Sequence, residues 1–251
     1  MYITMTYRGI TSTTKEVEVL DIKRDVGPPA DDVTMGIPGM QGTYPIRQDD
    51  RGKTISVQLL VKTADATTLR AKVHDVADWL KAVKDDMNRP LPSALVFSDD
   101  TAKQWMAYPI GIKPSVDIIG LACEFQVQFF CPSPYAEALT EKDVGASSTN
   151  GGTEPAPPEI TVTVTDPAGI TDLKVELDGT SKFLFLEGSF AKDTVIVFDK
   201  ATRMVTVDAV DAREDLHHTR RWFDLPSGAF TITTTPASGI TVAVKFRERW
   251  R

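Results

Sequence analysis

The chain has 251 residues, 41% of them hydrophobic and 25% charged, which is the usage of a folded protein rather than a disordered one. At about 100–200 residues per domain it holds one or two domains. Lys and Arg number 28 against 35 Asp and Glu, a net charge of −7, which argues against a cationic face that grips nucleic acid and against a polybasic membrane tether.

Thr and Val, 29 and 23 of them, carry branched Cβ atoms that pack best on a pleated sheet, so the composition leans to β structure. The opening Met1-Tyr2-Ile3-Thr4-Met5-Thr6 lacks the charged and apolar regions of a secretory signal, and cytosolic synthesis without export is expected. Ile3, Met5 and Tyr7 alternate as a half-buried strand does. From Gly27 to Pro45 the chain reads GPPADDVTMGIPGMQGTYP, long for a connection and rich in Gly and Pro. It also carries Met35, Ile37, Met40 and Tyr44, which a solvated loop has no use for. Two readings stand: an arm or hairpin that docks onto another chain through Met35, Gly36, Ile37, Pro38, Gly39, Met40 and Tyr44, or a flexible connection.

Ile55, Val57, Leu59 and Val61 alternate as a second strand. Between Asp65 and Lys84 the period changes: Leu69, Val73, Val76, Leu80 and Val83 fall on one helical stripe. Asp65 or a nearby threonine caps its start, and Pro90 ends any continuation. The longest apolar run, Ile118 to Cys123 counting Gly120, is far short of the ~18–20 residues of a membrane-spanning helix. Leu121, Cys123, Phe125, Val127, Phe129 and Cys131 share one face of a long strand, with Ala122, Glu124, Gln126 and Gln128 on the other. Eight residues of extended chain hold the two cysteines roughly 26 Å apart, so two buried thiols are expected rather than a disulfide.

Thr140 to Pro158, TEKDVGASSTNGGTEPAPP, replaces periodic apolar residues with Gly, Ser, Thr, Pro and charge. This predicts a first domain over 1–140, a linker over 141–157 and a second domain over 158–251. The second domain is a succession of short strand signals: Ile160/Val162/Val164, Leu173/Val175/Leu177 with Asp178-Gly179 as a turn, Phe183/Phe185, Val195–Phe198, Met204–Val207, Phe230/Ile232 and Ile240–Phe246. Strands at that spacing point to a β-sandwich.

Residues with catalytic potential are sparse. His74 borders the helical stripe, and His217-His218, read as strand neighbours, point to opposite faces and hold no metal together. Asp31-Asp32, Asp49-Asp50, Asp85-Asp86 and Asp99-Asp100 are read as solvated turn residues, since acid–base catalysis needs carboxyls facing across a cleft. No P-loop, GxSxG, HExxH or CxxC motif occurs. No enzyme, cofactor or metal is therefore expected.

At the end of the first domain FQVQFFCPSPYAEA, Phe125 to Ala138, places Phe129, Phe130, Cys131, Pro132, Pro134 and Tyr135 in an aromatic-Cys-x-x-Pro-Tyr segment that closes a long strand. This resembles the distal tail proteins (Dit) of siphophages. The order of the Gly-rich loop, the helix before Pro90-Leu91-Pro92, the TNGGTEPAPPEI entry and the closing FDLPSGAFTITTT and VAVKFRERWR is similar to that family over essentially the whole chain. The resemblance implies a mainly β protein: a β-barrel-like domain with one helix, related to tail-tube folds, then a galectin-like β-sandwich. It implies a homo-hexameric ring in the virion, at the tail tip, between the tail tube protein and the tail-associated lysin or hub, with the tape measure or a receptor-binding protein as further neighbours. It also implies a channel through which DNA passes without being bound, and it assigns the Gly27–Pro45 segment to contact with the neighbouring protomer. The alternative is a carbohydrate-binding β-sandwich in host-surface adhesion, with Trp222 and Phe223 as the stacking platform.

Overall fold

In the computed structural model, residues 3–24, 30–36, 41, 43–119 and 121–251 are described. The chain divides into two compact units, Met1–Leu139 with Arg251, and Thr140–Trp250. Both are built of strands, and the single α-helix of the described residues lies in the first. That helix is not long and apolar enough to cross a membrane.

In chain order the first unit contains β1 (Met5–Tyr7), β2 (Ile10–Thr11), β3 (Val17–Arg24), β4 (Ala30–Gly36), β5 (Thr43–Asp50), β6 (Lys53–Lys62), α1 (Ala66–Trp79), β7 (Val83–Lys84), β8 (Pro90–Leu91), β9 (Ser93–Phe97), β10 (Asp100–Ile119), β11 (Ala122–Cys131) and β12 (Ala136–Ala138). The main sheet runs β2-β1-β9-β10-β11-β6-β3, with β12 paired to β10. Its centre follows from two matched alternations. Cys123, Phe125, Val127 and Phe129 of β11 stand opposite Val61, Leu59, Val57 and Ile55 of β6. All eight are buried. A slip of one residue would turn both apolar sets to water, so the register is strongly specified. On the opposite face Gln126 pairs with Gln58 and Gln128 with Ser56. There the Gln58 amide donates to Glu124 at 3.1 Å.

Helix α1 starts where the sequence places it. Asp65 accepts from the Thr68 amide at 2.8 Å, and Leu69, Val76 and Trp79 are buried. The stop is different. Leu80 is the C-cap, and Val83 leaves the helix to pair with Leu91 in the two-stranded β7–β8 sheet. The apolar period runs on past the helix because Val83 is half-buried for another reason, and Pro90 lies in β8 rather than at the helix end.

The second unit contains β13 (Lys142–Val144), β14 (Ser147–Asn150), β15 (Glu159–Val164), β16 (Ile170–Leu177), β17 (Phe183–Phe190), β18 (Val195–Asp199), β19 (Met204–Val207), β20 (Val210–Asp211), β21 (Gly228–Thr235) and β22 (Ile240–Phe246). They form two sheets, β13-β22-β15-β18-β19-β20 and β14-β21-β16-β17, around one core that includes Val162, Val175, Leu186, Phe198, Phe223 and Phe246.

The expected linker over 141–157 is corrected: it belongs to this sandwich. β13 pairs with β22 and β14 with β21, giving one strand to each sheet. Asn150 is 1% exposed, and its amide donates to the carbonyls of Glu154, Leu225 and Pro226 at 3.2, 3.4 and 3.2 Å. Gly152 lies against the Arg249 backbone, where a Cβ has no room. The Asn-Gly-Gly composition marks a close backbone approach here, not flexibility. Two aspartate pairs are also corrected. Asp31-Asp32 and Asp49-Asp50 lie on β4 and β5, with Asp31 opposite Asp49, rather than in turns.

Candidate functional site

Strands β4 and β5 make a sheet of their own, separate from the main sheet. The ladder runs from Ala30 opposite Asp50 to Gly36 opposite Thr43, so the Gly27–Pro45 segment contributes most of a β-hairpin. The register slips between Val33/Arg47 and Thr34/Pro45, which leaves Ile46 as the extra residue of a bulge. Pro45 has no N–H to give to a ladder, and such positions tolerate bulges. Met35 and Ile46 are 51% and 58% exposed. Gly36 and Tyr44 hold ladder positions, Tyr44 opposite Met35. Ile37, Pro38, Gly39 and Met40 lie outside the described residues. A ribbon of two strands is marginal in water without further packing, so a long one bearing exposed apolar side chains is suited to a surface that covers it.

The hairpin is fixed at its β5 root, and β3, which precedes it in the chain, is fixed at its last residue. On the β3 side, Arg24 donates to Asp99 at 2.8 Å, and its guanidinium lies 4.4 Å from the Phe97 ring centre and 5.2 Å from that of Trp105. The Arg24 hydrogen bond holds the Asp99 carboxyl below the usual carboxylate range, against the opposing effect of burial. On the β5 side, the Tyr135 hydroxyl donates to Asp50 at 2.6 Å, and this bond is the main reason the Asp50 pKa lies low. Gly52, two residues on, faces Phe130: a Cβ there would stand 2.6 Å from the ring and 2.7 Å from the Cys131 carbonyl.

The FFCPSPY segment is therefore the hairpin's seat. Phe129 points into the core, with its ring 5.2 Å from that of Tyr7. Phe130 covers Gly52 and packs on Tyr108 at 5.6 Å. Cys131 is buried and free, its thiol pushed up to about 12 by desolvation, and Cys123 is likewise a buried free thiol. Pro134 is buried and Pro132 exposed. Arg24, Asp50 and Gly52 do not stand out in the sequence. Their partners are far away along the chain, and only the aromatic motif itself is a signal.

Comparison with known proteins decides the family. Residues 12–131 match the phage tail protein RIFT-related domain, and residues 151–250 match the siphovirus-type tail component, C-terminal domain. The chain belongs to the siphovirus Dit family. As a family member it is a structural component of the phage tail and baseplate. Its fold is that of phage SPP1 Dit (gp 19.1), described as a paradigm of hub adsorption apparatus in Gram-positive infecting phages: TM-score 0.81 and 18% identity, with 100% of each chain covered. A chain of the activated, calcium-bound phage P2 baseplate aligns at TM-score 0.50 and 9% identity, over 98% of this chain and 97% of that one. No match is found among curated protein sequences.

In the sandwich of this Dit chain the expected Trp222-Phe223 platform does not form. Phe223 is 2% exposed and belongs to the core, while Trp222 packs partly against it. A buried ring offers no face to a sugar. His217-His218 is corrected too: the pair lies outside any strand, and the rings sit together at 4.1 Å instead of on opposite faces. Among the described residues no three His, Cys, Asp or Glu gather as a metal site.

Proposed function

We propose that the chain is a non-enzymatic ring subunit: six copies surround a channel that DNA traverses unbound, joining the tail tube protein to the tail-associated lysin or hub. The tape measure and a receptor-binding protein are further neighbours in this reading, and no membrane is involved. The observation that carries it is the β4–β5 hairpin, a ribbon with no third strand among the described residues, Met35 and Ile46 open to solvent, and its β5 root pinned through Asp50. The charge of −7 supports a lumen to which DNA does not adhere. Multi-angle light scattering with negative-stain imaging tests it. Wild-type protein should form hexameric rings, alone or with tube or hub protein, and the Met35→Asp/Ile46→Asp double variant should keep its melting temperature and lose the rings. A strict monomer under all these conditions would sink the proposal.

A further inference from the structure

We propose that the second unit carries a binding site for a saccharide bearing carboxylate or phosphate groups, in a hollow of about 650 Å³ lined by Arg203, Arg213, Leu216, His218, Arg220 and Trp222. Its size lies within the roughly 300–1,000 Å³ usual for small-ligand sites. Three guanidiniums and an imidazole line it with no carboxylate among them, in a chain whose net charge is −7. Glu214 and Asp215 adjoin it in sequence but are exposed and outside its lining, and a third acid is already committed. Asp211 takes Arg213 in a fork, with Nε at 2.9 Å from both oxygens and Nη2 at 2.5 Å, which fixes that guanidinium and offsets its charge.

Arg203 and Arg220 enter no ion pair with any described residue. Arg220 gives one Nη1 bond to the Leu216 carbonyl at 3.3 Å, which orients the group and leaves its other donors open. Arg203 stands in the turn between β18 and β19 at φ 57°, in the left-handed region that disfavours any residue but glycine. Leu216 is buried and gives the hollow a fixed apolar patch. Trp222 is anchored in the core on one side and lines the hollow with the rest, as an indole does when one part is dry and another wet.

Guanidinium forks match the planar geometry of a carboxylate and the oxygens of a phosphate. An indole beside them suits the C–H face of a sugar ring. A nucleic-acid strand is the poorer fit, because it needs cations along an extended track and this is one compact cluster. The site is independent of the ring assembly proposed above.

The test is isothermal titration calorimetry of the full chain with oligogalacturonate, a phosphate-bearing oligosaccharide, neutral maltohexaose and oligothymidylate. One or both anionic saccharides should bind, more weakly as salt is raised, and maltohexaose should not. Arg203→Ala and Arg220→Ala should each weaken binding roughly tenfold at an unchanged melting temperature. Arg203→Lys and Arg220→Lys should recover part of the loss. The proposal is overturned if neither anionic saccharide binds at millimolar concentration, if maltohexaose binds equally, if oligothymidylate binds more tightly, or if the folded arginine variants bind like wild type.

Discussion

Gly52→Ala tests whether the hairpin root is a rigid seat. An alanine Cβ would stand 2.6 Å from Phe130 Cζ and 2.7 Å from the Cys131 carbonyl oxygen, where nonbonded carbon contacts settle at roughly 3.5–4.0 Å. Phe130 has limited room to swing, since its ring packs on Tyr108. The carbonyl is less able to yield: Cys131 is a core residue of β11 in register with Lys53. Relief must come from the backbone between β5 and β6, so the cost belongs at the upper end of the ~1–3 kcal/mol of overpacking. At roughly 3 °C per kcal/mol for a unit of this size, the melting temperature of the first unit should fall by about 6–9 °C. Gly111→Ala is the control: it lies on a strand of the same unit, and an alanine Cβ there would meet nothing within 4 Å. It should hold the melting temperature or raise it slightly. Differential scanning calorimetry compares the two, and light scattering follows ring formation below the melt. Equal melting of Gly52→Ala and Gly111→Ala would refute the rigid seat.

Tyr135→Phe removes the hydroxyl that holds Asp50 ionised. Because the Asp50 pKa is lowered in the fold, the stability it contributes is present above the ordinary carboxylate value and disappears as pH falls through the lowered one. The wild-type advantage over Tyr135→Phe in urea titrations should therefore be full at neutral pH and shrink below about pH 4; a gap that widens on acidification contradicts the assignment. Asn150→Ala leaves three carbonyls and the Gly152 amide without the side chain that meets them, and should cost about 2–3 kcal/mol in chemical denaturation of the second unit. A loss under about half a kcal/mol, the usual size of a surface substitution, would mean that this segment is a linker after all.

The parts legible in the sequence are those that depend on neighbours along the chain. Alternation in Lys53–Lys62 and Ala122–Cys131 fixes which side chains face the core, and the Asp65 cap fixes where the helix begins. The helix end is not legible, because Val83 keeps the helical period while serving a strand. The 141–157 segment misleads for a chemical reason: glycine serves both where a chain is loose and where backbones come too close for a Cβ, and asparagine serves both in solvated turns and where a buried amide must meet backbone carbonyls. At the candidate site, the hairpin's apolar content shows in Met35 and Tyr44, but its seat does not. Arg24 and Asp99 are 75 residues apart, and Asp50 and Tyr135 are 85 apart. No local pattern announces such pairs.

The aromatic motif acquires a physical meaning from this seat. Along Phe129-Phe130-Cys131 the strand alternates, so Phe129 and Cys131 fill the core while Phe130 must face outwards, over the one position with no side chain to oppose it. Tyr135 then takes hold of β5 by its last residue. Residues that fold the first unit thus also aim the hairpin. The consequence for assembly is energetic: a two-stranded ribbon gains little from its own contacts, so whatever it docks on must supply the balance. Fixing the β5 root in advance reduces the entropy lost on docking, which leaves more of the contact energy of Met35 and Ile46 as affinity. The tip can accordingly vary with its partner while the root stays the same, and substitutions at the root should damage folding and assembly together, whereas those at Met35 and Ile46 damage assembly alone.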